Sequence, residues 1–110
     1  MDSSSLIEIL EYERTKFNTT VSKIYEIDPK AQITTDMNIK EIIGHISWYE
    51  DKIVSLIKNR GFRTGEYDNL SIDEKNKQIS LSFEQMSYNE VKKRADNIFE
   101  KMIALLRSVT

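Results

Sequence analysis

The 110-residue chain carries 16 Lys or Arg against 18 Asp or Glu and one His, a formal charge of −2. That near-balance excludes the broad positive field that draws nucleic acid. The absence of Cys excludes disulfides, thiolate metal sites and a thiol nucleophile. Leu, Ile, Val and Phe make up just over a quarter of the residues, enough for one packed domain over residues 1–110. No apolar run approaches the roughly 20 residues that span a bilayer, and Met1-Asp2-Ser3-Ser4-Ser5 has no basic leader, so a cytoplasmic protein with no membrane partner is expected.

Three long segments repeat apolar residues every three or four positions, the spacing of one helix face. In the first, Leu6, Leu10, Phe17, Val21 and Ile24 form a stripe with Ile9 and Tyr25 beside it, while Glu8, Glu11, Arg14 and Lys23 point elsewhere. Asp2 and the three serines are candidate caps. The helix must end before Asp28-Pro29, because proline disfavours helical geometry in the residue ahead of it. After a loop over residues 28–37, Asn38-x-x-Glu41 forms a capping box that opens a second helix over residues 39–59 or 60. Its expected inward positions are Ile39, Ile42, Ile43, Ile46, Tyr49, Ile53, Leu56 and Ile57. Gly61 is its expected stop, and residues 62–70 read as a surface loop.

Ser71-x-x-Glu74, read as another capping box, opens a shorter helical piece to about residue 82, anchored by Leu70, Ile72, Ile79 and Phe83. Ser87-x-x-Glu90 caps the last helix, whose stripe is Val91, Ala95, Ile98, Met102 and Leu105, widened by Phe99 and Leu106. No segment alternates with the period of two that marks a strand. The fold class is therefore all-α, an up-down bundle of three long helices plus one short helical segment. Three long helices leave one groove open, and a large exposed apolar groove drives association.

His45, the single histidine, sits mid-helix within a turn of Glu41, Trp48 and Tyr49, so the four share a surface. It reads as a metal ligand or general base, or as a half-buried His hydrogen-bonded to a carboxylate or tyrosine. With no second His and no Cys, zinc or nickel would need carboxylates for its remaining ligands. Glu50 and Asp51, with Glu8, Glu11 and Glu13 on the first helix, offer paired carboxylates for acid and base work. Most lie opposite the apolar stripes, where charge runs are solvated faces. Lys92, Lys93 and Arg94 form a basic cluster flanked by Glu90 and Asp96 and lack interleaved aromatics for base stacking. No Gly-rich phosphate loop, Gly-x-Ser-x-Gly elbow or His-Glu-x-x-His motif occurs.

The run Met37-Asn38-Ile39-Lys40-Glu41-Ile42-Ile43-Gly44-His45-Ile46-Ser47-Trp48-Tyr49-Glu50 resembles the second-helix signature of DinB-like four-helix bundles, in particular the branch of the colibactin self-resistance protein and its DfsB relatives. Its core is Lys-Glu, two hydrophobic residues, any residue, His, a hydrophobic residue, any residue and Trp. Asn76-x-x-Ile79 followed by Ser87-Tyr88-x-Glu90-Val91 is similar to that family's asparagine-bearing segment and the entry to its third long helix. The resemblance implies an up-down-down-up bundle, often a homodimer, whose better-known members bind a divalent metal through three histidines. His45 matches the first of these; the others belong to a fourth helix that would follow Val109-Thr110. The metal-binding branches imply thiol transfer, and the colibactin branch implies binding or hydrolysis of a reactive cyclopropane-bearing metabolite. Two functions are thus expected: a small-molecule or metal site in a groove near His45, Trp48, Tyr49 and Asn76, or a non-catalytic module that self-associates as a dimer through its open groove.

Overall fold

A computed structural model describes residues 3–35, 37–59 and 70–109. Four helices follow in chain order: α1 (Ser3–Ile27), α2 (Ile39–Asn59), α3 (Ile72–Ser82) and α4 (Tyr88–Ser108). No strand occurs among the described residues, where Gln32 and Asn38 make only an isolated bridge. No described helix is long and apolar enough to cross a membrane. The protein is an all-α helical bundle.

The start signals act through the expected atoms. Asn38 Oδ1 accepts from the Glu41 amide at 2.9 Å, and Glu41 Oε1 accepts from the Asn38 amide at 3.3 Å. Ser87 and Glu90 close the same reciprocal box at the head of α4, whereas at the head of α3 only half of the expected box forms: Ser71 Oγ accepts from the Glu74 amide, and the Glu74 side chain does not return the bond. Each cap satisfies amides that have no partner inside the helix. Met1, Asp2 and the residues from Arg60 to Asn69, including the expected stop at Gly61, lie outside the described residues.

Side-chain partners give the helix directions. Lys40 Nζ, in the first turn of α2, donates to the carbonyls of Met86 at 3.0 Å and Glu84 at 3.4 Å, just ahead of α4. Val54, near the other end of α2, packs with Met102 and Ile103 near the end of α4. These two long helices therefore lie side by side and parallel. α1 runs against both, since Ile7 joins Val54 and Met102 while Val21 joins Ile39 and Val91. Helices adjacent in sequence are antiparallel; α3 carries the chain back along α2, and this return makes the parallel pair possible.

The core consists of two apolar clusters. Val21, Ile39, Ile43, Ile79, Phe83, Val91 and Ala95 fill the end where α2 and α4 begin, and Ile7, Val54, Met102 and Ile103 fill the other. α3 is too short to persist alone. Ile79 and Phe83 hold it, each fully buried and each worth about 1.5–3 kcal/mol by removal from water.

Several expected orientations are corrected. Ile7, not Leu6, enters the core, and Leu6 stays 44% exposed, because four apolar residues among positions 6–10 permit two stripes rotated by one residue. Arg14 turns inward and Glu50 meets it, leaving side chains only 11% and 13% exposed. On α2, Tyr49 and Ile53 are each 43% exposed, since α1, α3 and α4 cover the rest of the helix and leave that flank open. Ile72 projects beyond the packed part of α3 and is exposed.

Candidate functional site

His45 is buried on α2, on the flank that α3 covers. Its Nε2 shares a hydrogen bond of 2.9 Å with Ser80 Oγ on α3. Burial lowers the imidazole pKa below 6.5, against the opposing pull of Glu41 one turn away. Removing a cation's hydration outweighs the attraction of a carboxylate that remains partly solvated, so the ring is neutral near pH 7. Gly44, beside His45, permits this closeness: a Cβ there would lie 2.6 Å from Phe83 Cδ2. Without a side chain at position 44, the Phe83 ring seats directly on the α2 backbone and brings Ser80, three residues earlier, to the imidazole.

Trp48 and Tyr49 meet edge to face, ring centroids 5.0 Å apart. Lys75 Nζ sits in the corner they form, 5.4 Å from the Trp48 ring and 5.5 Å from the Tyr49 ring, while Lys52 Nζ lies 4.9 Å from Trp48. Cation–π attraction of this kind contributes about 0.5–1 kcal/mol at exposed positions. Asn76, next to Lys75, is half-buried on α3. His45, Trp48 and Tyr49 thus meet α3 through Ser80 and Lys75, and Asn76 lies between those two in the chain. Ser80 joins them unforeseen; its only trace in the sequence is its place one helical turn after Asn76.

No three of His, Cys, Asp and Glu converge among the described residues, and His45 Nε2 engages Ser80.

A second polar centre lies between the two apolar clusters. The Arg14 guanidinium on α1 donates to Glu50 on α2 and stacks 4.3 Å from the centroid of Phe99 on α4. Burial raises the Glu50 pKa, and the hydrogen bond and charge of Arg14 oppose that rise. Glu50 Oε1 is buried with no hydrogen-bond partner. Among the remaining carboxylates, Glu11 pairs with Arg107 at the exposed surface, 3.0 Å apart.

No protein-family model, curated protein or solved structure matches the chain.

Proposed function

We propose that this protein is a DinB-like helical bundle that works as a self-associating interaction module, a second copy covering the outer face of α1 and α2. The observation that carries this reading is the apolar flank shared by those helices. Leu6, Ile9, Tyr49 and Ile53, all between 43% and 45% exposed, lie on the side turned away from α4. Taken as two adjacent helices, the face is about 30 Å long and about 20 Å wide, near 600 Å² per copy. Standard interfaces bury about 800 Å² per partner, so association is expected to depend on concentration. The up-down-down order of the three long helices supports the DinB-like reading.

The experiment is light scattering and sedimentation across a concentration series reaching about 0.1 mM. The expected result is a dimer that Ile53→Glu and Leu6→Glu each convert to a monomer with an unchanged helical spectrum. A monomeric parent chain at the highest concentration overturns the proposal.

A second reading, a small-molecule site on the α2–α3 seam, is favoured by the contacts of His45 with Ser80 and of Trp48 and Tyr49 with Lys75, with Asn76 between those two α3 residues. An inter-helix seam lined by aromatics with a few polar groups is an ordinary setting for such a site. As Trp48 is the sole tryptophan, its fluorescence reports binding there directly. Candidate electrophilic or aromatic metabolites should shift its emission in the parent chain and not in Asn76→Ala; an unchanged emission throughout removes the seam as their site.

A further inference from the structure

The basic run at positions 92–94 has no part in either reading. On α4 it divides: Lys92 pairs with Asp96 at 3.6 Å, while Lys93 and Arg94 turn to a groove of about 440 Å³. Met86 and Ile98 supply apolar surface to this groove, and Asp51 of α2 stands across it from the α4 residues Glu90, Lys93, Arg94 and Asn97. Cavities of about 300–1,000 Å³ commonly hold small ligands.

The charged groups here differ in how far they are committed. Glu90 Oε1 already accepts from the Ser87 amide in the α4 cap. Arg94 is aligned by the Phe83 ring, whose centroid lies 5.7 Å from the guanidinium carbon, and Phe83 is itself locked in the core at 1% exposed. No hydrogen bond or ion pair among the described residues engages the side chains of Asp51, Lys93 or Asn97. The groove therefore presents two cations, an amide and the cap-engaged Glu90 carboxylate on the α4 wall, the Asp51 carboxylate on the other, and apolar surface between them. A polyanion meets repulsion from Asp51 and Glu90, and a simple cation meets it from Lys93 and Arg94. A compact molecule with both charges and an apolar body satisfies every wall.

We propose that the α2–α4 groove binds a small amino-carboxylate zwitterion, its carboxylate on Arg94 and Lys93, its ammonium on Asp51 and its apolar body on Met86 and Ile98. On α2, Asp51 points to the side opposite Tyr49 and Ile53, so the site stands or falls independently of the self-association reading.

The test is amide chemical-shift mapping of the full chain with three probes: leucine, 4-methylpentanoate, which keeps only the carboxylate, and leucinamide, which keeps only the ammonium. Leucine is expected to give saturable shifts centred on Asp51, Arg94 and Asn97. Each half-ligand should bind at least about tenfold more weakly, the loss of one charge-assisted contact. Arg94→Gln should weaken leucine to a similar degree, and Lys93→Gln and Asp51→Asn provide the same test at positions outside the core. The absence of saturable shifts with leucine, a half-ligand that binds as tightly as leucine, or parent-like affinity in all three variants overturns the proposal.

Discussion

At the level of single residues, Gly44 is where the smallest change has the clearest consequence. Alanine ordinarily stabilises a helix interior by about 0.5–1 kcal/mol over glycine. Here its methyl would stand 2.6 Å from a core ring, and overpacking of that kind costs about 1–3 kcal/mol. Gly44→Ala is therefore expected to lower the urea midpoint, and adding Phe83→Leu should recover part of the loss. A midpoint raised by Gly44→Ala alone would show that Phe83 is free to move aside. His45 adds a dependence on pH. Its folded pKa lies below 6.5, so the unfolded chain takes up the proton first, and the stability contributed by neutral His45 is complete above that pH and declines as the pH falls below it. His45→Gln should flatten that part of the stability profile, measured by denaturation at a series of pH values.

The Arg14–Glu50 pair also belongs to the residue scale, although it links three helices. Removing one partner of a buried pair strands the other charge, at a cost of about 3–5 kcal/mol. Arg14→Met is expected to cost that much. The double variant Arg14→Met/Glu50→Leu should return to within about 1 kcal/mol of the parent, since an apolar replacement of both partners avoids desolvating two charges. If the double variant is less stable than Arg14→Met, the pair supplies more than mutual neutralisation.

At the level of elements, what the sequence reveals depends on how local the cause is. The three caps were legible because a cap depends on residues three apart in the chain: Asn38 with Glu41 and Ser87 with Glu90 form full boxes, and Ser71 forms its half without the Glu74 side chain. Ser87→Ala should accordingly cost about 1 kcal/mol, read from the shift in thermal midpoint, with Thr at the same position restoring most of it. The α4 stripe was equally plain, with Val91, Ala95, Ile98 and Met102 all buried. Orientation on α1 and α2 was less so, because periodicity defines a stripe without saying which neighbour covers it. An arginine at position 14 reads as a solvated face until a carboxylate at position 50 is known to lie opposite. Ser80 at His45 was illegible for the same reason: the contact depends on how α3 registers against α2, and Gly44 with Phe83 determines that register.

At the level of the whole molecule, the principal extents of 40 × 34 × 22 Å describe a slab about two helix diameters thick. A slab of that thickness shields helices on one side while leaving the opposite flanks of α1 and α2 partly wet. The exposed apolar residues of these flanks, Leu6 and Ile9 on α1 and Tyr49 and Ile53 on α2, are the surface on which the proposed self-association rests. The zwitterion groove occupies the other broad side, so a second copy seated on α1 and α2 leaves it open.

The parallel pairing of α2 with α4 bears on how the protein assembles. Lys40 and Met86, which fix its register at one end, stand 46 positions apart, so the central contact cannot arise from a local hairpin. Docking α3 onto α2 first shortens the loop still to be closed, and closure entropy grows with loop length. Folding speed should then follow the docking of this shortest helix, with Ile79 and Phe83 in the nucleus: truncating either would slow refolding more than it hastens unfolding.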